Sequence, residues 1–176
     1  LILKEAETAR PMYSITEAEL RSYFEANREK YDLPAMLGAH EIVLRYDPAD
    51  PAQREKQRIK ANDLVRIMGV KPVDLKNFIE FIKTYSDPQS FQANGGSLGL
   101  FPERPHHGQK PPLSDSEVQA LKDLRLVGRV TVGGDAGHAW RILRLSAYRE
   151  AVPPKLEMYK ESIRRELYLK ARAKRI

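Results

Sequence analysis

Apolar side chains first return at helical spacing in residues 14–31, SITEAELRSYFEANREKY, where Leu20, Tyr23, Phe24 and Tyr31 share one face with Asn27. Thr16 and Glu19 stand three apart at its start, the spacing at which a hydroxyl and a carboxylate satisfy free N–H groups, so an amphipathic helix is predicted. Asp32-Leu33-Pro34 ends it, because a proline ring disfavours helical geometry at the preceding residue. In residues 37–46, LGAHEIVLRY, the period changes to two. His40, Ile42, Leu44 and Tyr46 fall on one face and Glu41, Val43 and Arg45 on the other, as in a strand. Helical spacing resumes after Asp50-Pro51, a cap followed by proline at the first helical position. Ile59, Leu64, Val65 and Met68 continue the helix, and Gly69 is the stop. A further helix over 72–85 carries the stripe Leu75, Phe78, Ile79, Ile82 and Tyr85.

Residues 86–112 read as one long loop, with three glycines in NGGSLGLF and the polar insert PERPHHGQKPP. Ser114 and Glu117 then repeat the capping-box spacing before a short helix with Val118, Leu121 and either Leu124 or Leu126 inward. Gly128 leads into two brief strands, 129–132 and 139–145, with Gly133-Gly134-Asp135 as the turn between them. Pro153-Pro154 launches a last helix bearing Leu156, Tyr159, Ile163 and Leu167. Helix, strand, two helices, loop, helix, two strands and helix make an α+β pattern with a small antiparallel sheet.

Composition narrows the chemistry. With 176 residues, 41% of them hydrophobic, the chain can bury a real core. Cysteine is absent, which excludes disulfides, thiolate catalysis and cysteine-based metal sites. Nothing reads as a signal peptide, and no stretch approaches the roughly 18 apolar residues of a membrane span. The first residue is Leu1 rather than Met, so an upstream segment is expected, with whatever anchor or signal it carries left unread. Much of the net charge of +6 lies in RRELYLKARAKRI. It reads as a solvated helix face, because the interleaved aromatics of a nucleic-acid surface are missing.

A phosphate cradle would leave a strand and open a helix, whereas here a helix precedes the glycines and Phe101-Pro102 follows them. His106 and His107 are neighbours in a proline-rich loop and lack partners for a metal, so no metal ligand is assigned. No nucleophile elbow is present.

The segment YSDPQSFQANGGSLGLF resembles the loop of the parvulin-type peptidyl-prolyl isomerases, F/Y-S-x-D-P-x-S-x-x-x-G-G-D-L-G-x-F, with Ser97 in place of the aspartate. LGAHEIVLR is similar to that family's first strand, A-R-H-I-L-V-K. LRLVGRVT is similar to L-K-x-G-E-V-S, and GHAWRILRL to F-G-Y-H-I-I-K-L. The flanking ITEAELRSYFEANREKYDLP and PPKLEMYKESIRRELYLKARAKR resemble the helices around the isomerase domain in SurA/PrsA-like folding factors. The resemblance implies a helical segment over 1–36, a parvulin-like domain over 37–149 and a returning helix of a chaperone lobe over 150–176.

Isomerisation about an X–Pro bond faces a barrier of about 18–20 kcal/mol from amide resonance, and favouring the twisted state lowers it without any cofactor. The family does so with an apolar cup and a pair of histidines on adjacent strands. Residue by residue, those histidines fall on Glu41 and Arg141, and the family's Cys or Asp falls on Asp87, or on Pro88 if the loop is aligned without a gap. The cup falls on Leu113 and Val118, with Leu98 and Phe101 as further walls. His40 is one residue out of step and so points to the other face, and His138 is misplaced in the same way. Glu41 and Arg141 are expected to pair across the two strands.

The resemblance therefore implies an extracytoplasmic folding factor of the bacterial periplasm or cell envelope, acting without cofactor on unfolded or proline-containing polypeptides and not on nucleic acid. It implies isomerase activity reduced by loss of both histidines, with Glu41, Asp87 and Arg141 as polar site residues. The alternative is a catalytically silent chaperone. Its helical stripes, Leu20, Tyr23 and Phe24 together with Leu156, Tyr159 and Ile163, would be exposed to hold clients or form a homodimer.

Overall fold

Ten consecutive residues, Met36–Arg45, make the central strand of the computed structural model, which describes residues 14–173. In chain order the elements are α1 (Glu17–Ala26), α2 (Arg28–Tyr31), β1 (Met36–Arg45), α3 (Pro51–Met68), α4 (Leu75–Tyr85), α5 (Pro88–Asn94), β2 (Ser97–Pro102), α6 (Asp115–Leu124), β3 (Val130–Asp135), β4 (Ala139–Arg149) and α7 (Leu156–Ala173). They fall into two units, one of residues 34–151 and one whose described parts are 14–33 and 152–173.

In the unit of residues 34–151, four strands pair antiparallel in the order β2-β1-β4-β3. The period of two read in β1 sorts its side chains between two cores. On one face Leu37, Ala39, Leu143 and Leu145 pack with Phe101, Leu113, Val118, Leu121 and Leu124, so α6 covers this side. On the other, Ile42, Leu44, Val130 and Ile142 meet Ala61 and Leu64 of α3 and Phe78 and Ile82 of α4. The predicted caps are formed: Asp50 accepts from Gln53 N–H, and Ser114 and Glu117 complete a capping box.

Three expectations are corrected. Residues 86–112 are not one loop, because Asp87-Pro88 starts α5 and the glycines open into β2, a fourth strand. Short elements with few apolar residues have too little periodicity to stand out, and pairing with β1 makes β2 a strand. Gly133, Gly134 and Asp135 belong to β3, where a bulge interrupts the register between Val132 and Gly134, and the turn lies at residues 136–138. The first helix breaks at Asn27, whose side-chain amide donates to Tyr23 O, 2.7 Å away. On α3, Ile59 is half exposed and Ala61 fully buried.

Gly96 has the most demanding position of the NGG turn. Its φ is +79°, and a Cβ there would lie 2.7 Å from Ile82 Cδ1 and 3.0 Å from Glu41 O. Its carbonyl accepts from Glu41 N–H, 2.8 Å away. Beyond His40, where β2 ends its pairing, the outer edge of β1 is thus completed by a turn rather than a strand. Ser86 Oγ and Asp87 N–H continue it by bonding Val43 N–H and O, 2.9 and 2.8 Å away.

In the other unit α1 packs against α7, so the two stripes expected to be exposed bury each other. Leu20, Phe24 and Tyr31 meet Leu156 and Ile163 in one core, with Tyr23 and Tyr159 half-buried beside it. Tyr31 stacks between Phe24 and Tyr159, ring centroids 5.5 and 4.9 Å away. Glu166 accepts from Tyr23 Oη and Lys30 Nζ, 2.7 and 2.6 Å away, and lies 3.1 Å from Lys170 Nζ. Hydrogen bonds from Lys30 and Tyr23 hold its carboxyl down to about 2. Among the described residues no helix is long and apolar enough to cross a membrane.

Gly96→Ala is expected to destabilise the chain by at least about 2 kcal/mol in urea unfolding, because strain and a backbone contact act together. Glu166 has a depressed folded-state value, so its stabilisation is full above the ordinary carboxylate range and disappears as pH falls towards about 2. Glu166→Gln should therefore lower stability by about 1 kcal/mol near neutrality, discounted for its exposed lysine partners, and match the parent near pH 2 in thermal unfolding followed by circular dichroism.

Candidate functional site

The α6 face of the sheet brings the charged and apolar candidates side by side. Glu41 pairs in register with Leu143, and Arg141 with Val43, so the acid and the base are diagonal neighbours on the same face rather than directly opposed. Arg141 Nε lies 3.6 Å from Glu41 Oε2, which makes the expected ion pair real. The side chains keep only 22% and 13% of their surface.

Sequence reasoning missed a third member. Glu117 Oε1 lies 3.7 Å from Arg141 Nη1, while its Oε2 accepts from Ser114 N–H and Oγ, both 2.9 Å away. One carboxylate thus caps α6 and faces the sheet arginine. The available signal was its position next to Val118 on a helix read as packing on this sheet, but the capping box already accounted for it. Gly133 makes the room, since a Cβ there would lie 2.6 Å from Leu143 Cδ1 and 3.5 Å from Glu117 Oε1. Arg141 Nη1 also donates to Pro112 O at 3.5 Å, so the arginine reaches from β4 to β1, α6 and the segment before it.

These contacts are long, and Glu41 Oε2 and Glu117 Oε1 are buried without a hydrogen-bond partner among the described residues. Burial raises the Glu41 carboxyl above the ordinary range; Arg141 draws it back and Glu117 raises it again. The ionised form of Glu41 therefore opposes folding once pH exceeds its raised value, and this cost vanishes below the ordinary carboxylate range.

Asp87 stands at the edge of this group with its bonds already committed. It caps α5 by accepting from Ser90 N–H and Oγ, 3.0 and 3.1 Å away, and pairs with Arg45 at 3.0 Å. Burial alone would raise its carboxyl, but the bonds from Arg45 and Ser90 prevail and lower it. No contact joins it to Glu41 or Arg141; Arg45, which also acts on Glu41, is the electrostatic link.

Leu98, Phe101, Leu113 and Val118 do come together. Phe101, Leu113 and Val118 are 4–7% exposed within one cluster, and half-buried Leu98 packs against it. They are core as well as candidate cup, and only Leu98 offers a rim. His40 is on the opposite face, its Nδ1 2.7 Å from Ser146 Oγ, and burial followed by Arg144 lowers its imidazole. His138 is exposed in the β3–β4 turn. His106 and His107 meet edge to face with centroids 4.1 Å apart. Among the described residues no group of three potential metal ligands is found.

An antiparallel four-stranded sheet in the order β2-β1-β4-β3, with α3 and α4 on one face and α6 on the other, is a parvulin-type α+β fold. It is the fold of SurA/PrsA-like proteins. The structure of one of two related SurA-like chaperones of Campylobacter jejuni matches with a TM-score of 0.65 at 19% identity, over 89% of this chain and 56% of that one. The peptidylprolyl isomerase PrsA of Bacillus anthracis matches at 0.43 and 19% identity, over 90% of this chain and 58% of that one. The foldase PrsA of Streptococcus pneumoniae matches at 0.46 and 16% identity, over 90% and 49%. The chain thus spans about half the length of these proteins. No family model matches the sequence, and no curated protein sequence does.

Arg141→Met should destabilise the chain by about 2 kcal/mol at neutral pH, because it leaves two mostly buried carboxylates without a cation. Adding Glu41→Gln should recover part of that loss, and the penalty should shrink at about pH 4, where carboxylates take up protons. A purely additive double mutant in urea unfolding would show that the two side chains do not interact.

Proposed function

We propose that the chain is part of an extracytoplasmic folding factor that holds unfolded or proline-containing polypeptide segments, with isomerase activity well below that of a site bearing the two histidines. The observation carrying this reading is the juxtaposition, on one sheet face, of the apolar group Leu98, Phe101, Leu113 and Val118 with the ionic trio Glu41, Arg141 and Glu117. The SurA-like fold supports the client class, and the periplasmic location printed for one of the two related Campylobacter jejuni chaperones supports the extracytoplasmic setting.

Catalysis of prolyl rotation asks for an apolar seat for the ring and for hydrogen bonding that favours the twisted amide. A neutral imidazole pair can donate and accept within such a seat. Glutamate and arginine that satisfy one another's charge have less to offer, because arginine stays protonated and each turn towards substrate leaves a buried charge behind. The polar half of the site is thus better suited to holding the α6 end of the cup than to turnover. If rotation is assisted, Arg141 is the donor placed to do it, with Glu41 and Asp87 orienting the cations around it.

Protease-coupled isomerisation of a short X–Pro peptide and suppression of aggregation of an unfolded client test this reading together. The chain should suppress aggregation near stoichiometric ratios and accelerate isomerisation only weakly. The double substitution Glu41→His with Arg141→His should raise the isomerisation rate by about tenfold or more, within the range of well-placed acid–base and hydrogen-bonding groups. A parent chain that neither suppresses aggregation nor accelerates isomerisation would overturn the proposal. Parent activity equal to that of the histidine variant would overturn its reduced-activity half.

A further inference from the structure

The ion pairs around the α6 face of β1 are unequal. Among the described residues Glu41, Glu117 and Asp87 ion-pair with Arg45 and Arg141, and Asp87 with Arg45 is a close pair at 3.0 Å. Glu41 and Glu117 therefore share the single guanidinium of Arg141. Neither is within ordinary hydrogen-bond distance of it, at 3.6 and 3.7 Å. The Glu117 side chain retains only 6% of its surface, yet among the described residues neither its Oε1 nor Glu41 Oε2 has a hydrogen-bond donor. A mostly buried group that is short of one positive charge and of N–H donors is incomplete. Its most open member is Arg141, whose side chain is 22% exposed and bonded to Pro112 O.

We propose that this group selects its ligand: the segments bound best carry lysine or arginine beside the proline, with the cationic head group seated against Arg141 and bonded to the free oxygens of Glu41 and Glu117. The inference rests on the proposed client-binding role and adds the charge of the client. The apolar cluster of Leu98, Phe101, Leu113 and Val118 adjoins Glu117 through Val118, so one dipeptide can place a proline ring by the cluster and a cation by the carboxylates. An acidic residue beside the proline would add a further negative charge where two carboxylates already compete for one cation, and is disfavoured.

Fluorescence anisotropy with labelled peptides containing Ala-Lys-Pro, Ala-Ala-Pro or Ala-Glu-Pro between neutral flanks tests the assignment on the whole chain. The lysine peptide should bind about tenfold tighter than the alanine peptide, equivalent to about 1.4 kcal/mol, and the glutamate peptide most weakly. Added salt should narrow the differences. Glu117→Gln keeps a residue type that serves in a capping box, so α6 should stay capped while the lysine preference falls to about twofold or less. Glu41→Gln should weaken it in the same direction. Equal affinities for the three peptides, or a lysine preference unchanged in both variants, would overturn the inference and leave client binding intact. Binding of none of the three would overturn both.

Discussion

The sheet depends on β1 having two strand neighbours and two covered faces. Because β4 and β2 occupy its edges, its side chains have only the two faces to go to, and alternation sends Ile42 and Leu44 to α3 and α4 while Leu37 and Ala39 go to α6. Glu41 is carried to the α6 side by the same alternation. It is not a polar residue that strayed into a core. It occupies a position that a shift of one residue would exchange with His40, and the packing of Leu37, Ile42 and Leu44 forbids that shift.

This has a cost for the polar residues. A carboxylate fixed beneath α6 must find a partner, and the neighbouring strand supplies Arg141 on the same face. The helix above brings a second carboxylate, because the N3 position of its capping box points back at the sheet. The two glutamates and the arginine hold β1, β4 and α6 together while leaving the carboxylates imperfectly satisfied. Where histidines would give a neutral, exchangeable network, this chain has fixed charges.

Much of this was legible beforehand. The period-two run of β1, the proline after Asp50 and the capping boxes at Thr16 and Ser114 are local signals, and the elements they announced are present. The pairing of Glu41 with Arg141 was readable from the matched strand positions, but its diagonal geometry was set by the register of β1 and β4. The glycine turn was legible as a motif, but β2 behind it was not. Ser97 and Leu98 are half-buried, Gly99 and Leu100 exposed, and only Phe101 and Pro102 buried, so it is hydrogen bonding to β1 that makes these residues a strand. The helical stripes of α1 and α7 were readable as apolar and were wrongly expected to be free, since a stripe does not name what covers it.

By itself, then, the sequence determined the local structure and the face to which each side chain belongs, because caps, prolines and periodicity act over a few residues. Only the tertiary structure decided how those faces were used. It set the second strand edge of β1 with Gly96, Ser86 and Asp87, turned the stripes of α1 and α7 towards each other, and placed Glu117 over Arg141. Each of these joins residues far apart along the chain, and the free energy of such contacts comes from burial and charge in three dimensions, which no short window of sequence contains.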